Sequence, residues 1–253
     1  MVDPAGAVAA HLPGFRVDAV SELGRGLENT AFLVRGPRDL VVRFRHEPDA
    51  VVIEKEARLV ARVAEISPLP VPRVAFFDHE CLAYWFVPGR PLEPEDSVDT
   101  AVLGELLARL QALPVDEMAE LVKNDHDPLP QWRDEAAEIF ERHRGGLPVT
   151  TRKRIEEFLA EELPDEADYL VFSHNDLGIE HVLVEGSRIT GIIDWSDAAI
   201  CDPAYDYGLL IRDLADRAPP PPPQLRERAV FYAKCSAIED FDYGRERGVR
   251  WLF

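Results

Sequence analysis

Apolar residues recur at every second position in the first third of the chain and at every third or fourth position over most of the rest. Phe15 to Leu23 alternates, Ala31 to Val34 follows as its hairpin partner, and Leu40 to Phe44 (LVVRF) forms a third run. Short period-2 runs parted by glycine, proline and aspartate predict an antiparallel sheet. Ala50 to Glu65 changes to helical spacing, and Arg73 to Phe77 and Cys81 to Val87 return to strands. Thr100 to Leu113 then places Val102, Leu103, Leu106, Leu107 and Leu110 along one helical face. Further helices are expected near Gln131 to His143, Thr150 to Glu162, Ala204 to Asp216 and Gln224 to Tyr243. Pro219 to Pro223 reads as a stiff spacer before the last of them. The pattern predicts an α+β chain with a small β-rich lobe at residues 1–88 and a mostly helical lobe at residues 89–253.

Two short apolar strands interrupt the helical half. The first runs from Leu170 into Ser173 and is followed by His174, Asn175 and Asp176; the second, Ile189 to Ile193, ends at Asp194 and Trp195. His181 stands five residues after Asp176. Two carboxylates at strand ends with a neutral ligand between them suit phosphoryl transfer. That reaction asks for one proton acceptor, a cation on the phosphates, and little covalent chemistry. Asp176 is the candidate base. Asp194 and His181 are the candidate metal ligands.

The run H-N-D followed by His181 and then I-D-W resembles the catalytic segment of the aminoglycoside phosphotransferase family, which shares the protein-kinase fold. The resemblance extends over the whole chain and implies a bilobal kinase-like fold. His181 stands where most members carry asparagine, a departure familiar in the aminoglycoside 2″-phosphotransferase branch and in macrolide kinases. Gly24-Arg25-Gly26 would then be the loop over the nucleotide, and Arg43 would replace the phosphate-binding lysine of protein kinases, with Glu56 as its helix partner. Arg45 competes with Arg43, and Glu54 fits less well than Glu56, which falls toward the apolar side of its helix. Val87 to Leu92 would be the hinge, where Tyr84, Trp85 and Phe86 either line the base pocket or fill the core. Asp202 and Asp206, in D-P-A-Y-D, are expected to cap a helix and brace the catalytic loop, and His174 to orient it. The implied cofactor is Mg²⁺, and the implied donor is ATP or GTP.

Charge narrows the acceptor. The 253-residue chain carries a formal −19, with 10 Lys or Arg against 12 Asp or Glu in residues 1–88 and 18 against 35 in residues 89–253. Such a field excludes a general nucleic-acid binder and favours a small cationic hydroxylated substrate, an aminoglycoside first. Asp197 and Asp213 are the leading acceptor contacts, with Glu239, Asp240 and Asp242 behind them. A macrolide, choline or a primary metabolite is the alternative acceptor, and a nucleotide-binding pseudokinase the alternative class. No apolar run is long enough to span a membrane, the N-terminus lacks the pattern of a signal peptide, and Cys81, Cys201 and Cys235 show no metal-type spacing. A monomeric cytoplasmic protein with reduced thiols is expected.

Overall fold

The structure is a computed structural model and describes residues 2–26 and 28–253. Helix α1 (Pro4–His11) starts on an Asp3 cap, whose carboxylate accepts from Gly6 N–H at 2.9 Å. A five-stranded antiparallel sheet follows, built from β1 (Ala19–Arg25), β2 (Asn29–Arg35), β3 (Leu40–Arg45), β4 (Arg73–Phe77) and β5 (Cys81–Trp85) in the order β1-β2-β3-β5-β4. Helix α2 (Ala50–Ile66), capped by Asp49, lies between β3 and β4 in sequence.

The two faces of the sheet are divided by strand alternation. Leu40, Val42 and Phe44 of β3 are buried with Val34, Phe76 and Ala83 against Val8 of α1. The intervening residues, Arg43 among them, therefore point to the other face. There Leu82 and Tyr84 pack on Ile53, Ala57, Val60 and Val63 of α2. Glu56 belongs to the same helical stripe, so the packing that buries α2 also delivers its carboxylate to Arg43.

Past Trp85 the chain crosses into the helical region. A two-residue strand β6 (Arg90–Pro91) joins β9 (Val182–Glu185) and β10 (Arg188–Ile192) in the order β10-β9-β6. A third small sheet, β7-β11-β8, joins β7 (Lys123–Asn124), β8 (Val171–Ser173) and β11 (Ala199–Cys201). Helices α3 (Ala101–Gln111), α4 (Val115–Met118), α5 (Leu129–His143), α6 (Val149–Leu159), α7 (Tyr205–Leu214), α8 (Arg226–Glu239) and α9 (Arg247–Leu252) build the remainder. Their shared core is centred on Leu103, Leu106, Leu107, Phe140, Phe172, Trp195, Leu210 and Tyr232.

Two elements shift. The first strand begins at Ala19 rather than Phe15 and runs through Gly24, so the turn to β2 is shorter than Gly24 to Thr30. Leu27, in that turn, lies outside the described residues. The long final helix ends at Glu239 and closes with a 3₁₀ turn, Asp240–Tyr243. No described helix is long and apolar enough to cross a membrane.

Candidate active site

Strand β8 is wholly buried and leads into the segment His174 to Gly178, of which Asn175 and Asp176 are partly exposed. Buried Asp206, at the start of α7, holds that segment in shape. Its carboxylate accepts from Ser173 Oγ at 2.6 Å and from the backbone N–H of His174, Asn175 and Leu177 at 2.9, 3.2 and 3.4 Å. Burial pushes the Asp206 pKa up while these donors oppose it. Asp202 accepts from Ala204 N–H at 2.8 Å in the turn before α7 and pairs with Arg228 and Tyr232. Asp206 therefore makes the bracing contacts expected of it, whereas α7 starts after Ala204 without a side-chain cap and Asp202 instead holds Arg228 and Tyr232.

Asn175 and Asp194 are non-glycine residues with positive φ, 64° and 61°. Left-handed backbone at two such residues is a local cost that surrounding contacts must hold in place. Asn175 is held by its amide, which donates to Asp125 Oδ2 at 2.8 Å. Next to Asp194, Trp195 is buried against the His174 ring, with centroids 4.5 Å apart. His174 Nε2 donates to the Ile193 carbonyl at 3.1 Å, tying the two candidate segments together.

Asp176, His181 and Asp194 converge. His181 Nδ1 donates to the Asp176 carbonyl at 2.7 Å and lies 3.4 Å from Asp176 Oδ2. A carbonyl only accepts, so Nδ1 carries the proton and Nε2 of a neutral ring presents its lone pair. That nitrogen lies 4.0 Å from Asp194 Oδ2. Two electron-pair donors facing each other across such a gap fit a shared cation. No group of three His, Cys, Asp or Glu suited to a metal occurs among the described residues, so a cation here would complete its shell with phosphate and water oxygens, as Mg²⁺ commonly does.

The charges around this trio set its titration. Partial burial, together with Asp197, Glu180 and Asp194, pushes Asp176 up to about 7 against the pull of His181. Burial also acts to raise Asp194, but Arg43 and the Ser196 hydroxyl outweigh it and hold Asp194 below the usual carboxylate range. Arg43 Nη1 is 2.7 Å from Glu56 Oε1 and 3.7 Å from Asp194 Oδ1. Burial works against the charge on Arg43, and Glu56 more than restores it, so its pKa rises. The Tyr84 hydroxyl donates to Glu56 at 2.6 Å, which makes Tyr84 a core residue supporting this pair. Arg45 instead pairs with Glu28 at 3.1 Å.

Two cavities lie near the trio, one with Asp194 in its wall and one with Asn175, the residue before Asp176. One, of about 800 Å³, is lined by Gly24, Gly26, Arg43, Lys123, Asp194, Ser196 and Asp197. A methyl group added at Gly24 would touch nothing within 4 Å, and at Gly26 only the Asn29 carbonyl at 3.8 Å. The fold itself leaves this space open above both glycines. The other cavity, of about 200 Å³, has Asn175 in its wall with Asp125, Asp127, Glu135 and Glu239, and Trp132 and Tyr205 as aromatic surface.

Asp213 does not reach the trio. It is buried, both its oxygens face the Arg212 guanidinium at 2.8 and 2.9 Å, and one accepts from Ile179 N–H at 3.1 Å. Its expected role in acceptor contact is corrected to anchoring the turn that carries His181. Asp240 sits in the same ion cluster, 3.7 Å from Arg212, and Asp242 binds Arg142 and His143. Sequence reading missed Lys123, Asp125, Asp127, Trp132 and Glu135. The parallel pairing of β7 with β11, Ala199 opposite Lys123, brings the first two beside the trio.

The profile of the phosphotransferase enzyme family (APH) matches residues 19–249. The chain belongs to that family and has a kinase-like fold. Over 69 residues it is 32% identical to aminoglycoside 3′-phosphotransferases of Enterococcus faecalis and of Staphylococcus aureus. The matched segment is 27% of this chain and only 25% and 26% of those relatives. Among solved structures, the GDP and kanamycin complex of APH(2″)-IIia superposes with a TM-score of 0.66 at 21% identity, covering 97% of this chain and 94% of that one. Macrolide 2′-phosphotransferase MphH of Brachybacterium faecium gives a TM-score of 0.64 at 23% identity, covering 98% and 95%.

Proposed function

We propose that the chain moves the γ-phosphoryl group of ATP or GTP to a hydroxyl of a small polycation, an aminoglycoside, acting as a cytoplasmic monomer. The observation that carries this reading is the convergence of Asp176, His181 and Asp194, with a cavity reached from each end of the trio. Asn175, the sequence neighbour of Asp176, lines the acidic one, and Asp194, linked to Asp176 through His181, lines the one bearing Arg43 and Lys123. Solved relatives of like fold hold GDP with kanamycin, or ATP with streptomycin.

In this reading the nucleotide lies between residues 1–88 and 89–253, under Gly24 and Gly26, with Arg43 and Lys123 against its phosphates. Glu56 and Tyr84 fix the Arg43 guanidinium. Asp194 and His181 Nε2 are the protein donors for Mg²⁺, which when bound screens the charge of the phosphates. Amines of the acceptor face Asp125, Asp127, Glu135, Glu239 and Asp197. The acceptor hydroxyl approaches Asp176, whose carboxylate takes the proton as the oxygen–phosphorus bond forms. The bond from the γ-phosphorus to the bridging oxygen breaks, and the nucleoside diphosphate leaves with both electrons of that bond.

A macrolide acceptor is the second reading, favoured by the similarity to MphH. A macrolide with a single amine would leave most of the acidic wall unmatched. Incubating the purified chain with Mg²⁺ and ATP or GTP against panels of aminoglycosides, macrolides and neutral polyols, with mass detection of one added phosphoryl group, tests the proposal. Phosphorylated aminoglycoside is the expected product. Nucleotide binding without turnover on any acceptor would favour a non-catalytic role.

A further inference from the structure

A third cavity, of about 940 Å³, shares no lining residue with the two near the candidate active site. It lies along Phe86, Val87 and Pro88, between the α2–β4 connection and the β9–β10 hairpin. Three exposed arginines line it: Arg38, Arg73 and Arg188. The Arg38 guanidinium lies over the Trp85 ring at 4.4 Å from its centroid, and Arg73 stands directly opposite Trp85 in the β4–β5 register. One cation thus stacks on the indole, and a second starts from the strand position beside it. Arg188 comes from β10, across from Glu185, which is the one acidic residue in the lining. None of the three arginines is in an ion pair among the described residues.

We propose that this groove binds a small oligophosphate anion. Three guanidiniums against one carboxylate give the wall a net charge of +2 in a chain of −19. Without a ligand these charges repel one another across open solvent, and a compact polyanion relieves that repulsion. Guanidinium forks match phosphate oxygens two at a time, which suits closely spaced phosphates better than a lone carboxylate. The volume falls within the range of about 300–1,000 Å³ typical of small-molecule sites, so the occupant is a small molecule rather than a nucleic acid or folded partner. Arg38 lies in the β2–β3 turn of the five-stranded sheet, Arg73 begins its strand β4, and Arg188 is on the β9–β10 hairpin. A bound anion would therefore staple the two regions together beside Phe86 to Pro88.

Titration calorimetry with inorganic tripolyphosphate, in metal-free buffer, tests this on the full chain. One anion should bind per chain. Arg188→Gln should weaken binding by about tenfold, the double change Arg38→Gln with Arg73→Gln by at least as much, and Lys123→Gln, on the candidate phosphate side, should leave it unchanged. The bound anion should also raise the wild-type melting temperature and not that of the triple glutamine variant, all three sites being exposed and tolerant of substitution. No binding, binding indifferent to the three arginines, or binding lost in Lys123→Gln would each overturn the proposal. So would a phosphorylated peptide that binds the groove where tripolyphosphate does not.

Discussion

At Asp176 the side chain is half exposed, lies 3.4 Å from an imidazole, and is pushed up to about 7. A proton acceptor works best with a pKa near the working pH. Asp176→Asn should lower kcat by roughly 10²–10⁴-fold while nucleotide affinity stays within about twofold. Wild-type turnover in the pure variant would remove the role. The carboxylate is the active form, so activity should fall as pH drops, with an acid limb at or below about 7 that Asp176→Asn lacks. The limb sits at the low end if a bound cation offsets the neighbouring carboxylates. The two metal-donor candidates separate by a second pair of changes. Asp194→Ala should abolish Mg²⁺-dependent nucleotide binding measured by calorimetry, whereas His181→Asn should keep it, because an amide oxygen can replace Nε2 as a hard-cation donor. A dead His181→Asn with intact nucleotide affinity would assign the ring another task. Residue roles were legible where local pattern sufficed. Strand alternation singled out Arg43 over Arg45 only together with the helical face that carries Glu56. Asp213 misled because an exposed-looking acid on a helix gives no hint that the adjacent Arg212 folds back on both its oxygens.

The elements near the site owe their shape to a few buried polar groups. Asp206 alone receives four donors of the β8 loop. Asp206→Ala would leave three backbone N–H groups and a hydroxyl without a partner, each worth on the order of 1–3 kcal/mol when buried. Unfolding by urea should show a loss of several kcal/mol, and Asp206→Asn, which keeps an acceptor oxygen, should lose less. His174 gives this region a pH dependence. Its Nε2 donates to Ile193, its Nδ1 is buried without a partner, and burial, aided by His181, lowers its pKa to about 4. The unfolded chain binds a proton near the ordinary value of about 6.5. Between these values the unfolded state holds more protons, so stability falls as pH drops from about 6.5 toward about 4. At pH 4.5 the penalty is on the order of 2–3 kcal/mol. His174→Asn should lack that component when urea midpoints at pH 7 and 4.5 are compared with wild type, and equal slopes in the two proteins would refute it. Long elements such as α2, α3 and α5 were visible as periodic runs. Strand β8 showed as the apolar run before His174, but the two- and three-residue strands β6, β7 and β11 were not visible, since each exists through pairing with distant chain. Lys123 and Asp125 stayed hidden for that reason, while H-N-D and I-D-W were plain because they adjoin longer apolar runs. Helix α1 escaped because only Pro4 and Val8 of its eight residues are buried.

At the scale of the molecule, charge is segregated. Residues 89–253 carry 18 basic against 35 acidic side chains, and five of those carboxylates, at Asp125, Asp127, Glu135, Asp202 and Glu239, line the cavity beside Asn175. Asp202 is committed to Arg228 and Tyr232, and Asp125 to Asn175 and Lys123, which leaves Asp127, Glu135 and Glu239 facing the space. A polycation is attracted there by both the local wall and the wider field, and added salt weakens both, since the screening length falls from about 8 Å at physiological ionic strength to about 3 Å at 1 M. KM for an aminoglycoside should therefore rise with salt more steeply than KM for a macrolide with one amine, and a neutral polyol should show almost no slope. KM for the nucleotide should respond less, because Arg43 is sheltered and held by Glu56. Asp127→Asn with Glu135→Gln should flatten the aminoglycoside slope and raise its KM while kcat at saturation holds, because neither side chain is placed on the reacting hydroxyl. A slope that is equal for all three acceptors would detach the acidic wall from acceptor choice and leave phosphoryl transfer standing on Asp176, His181 and Asp194 alone.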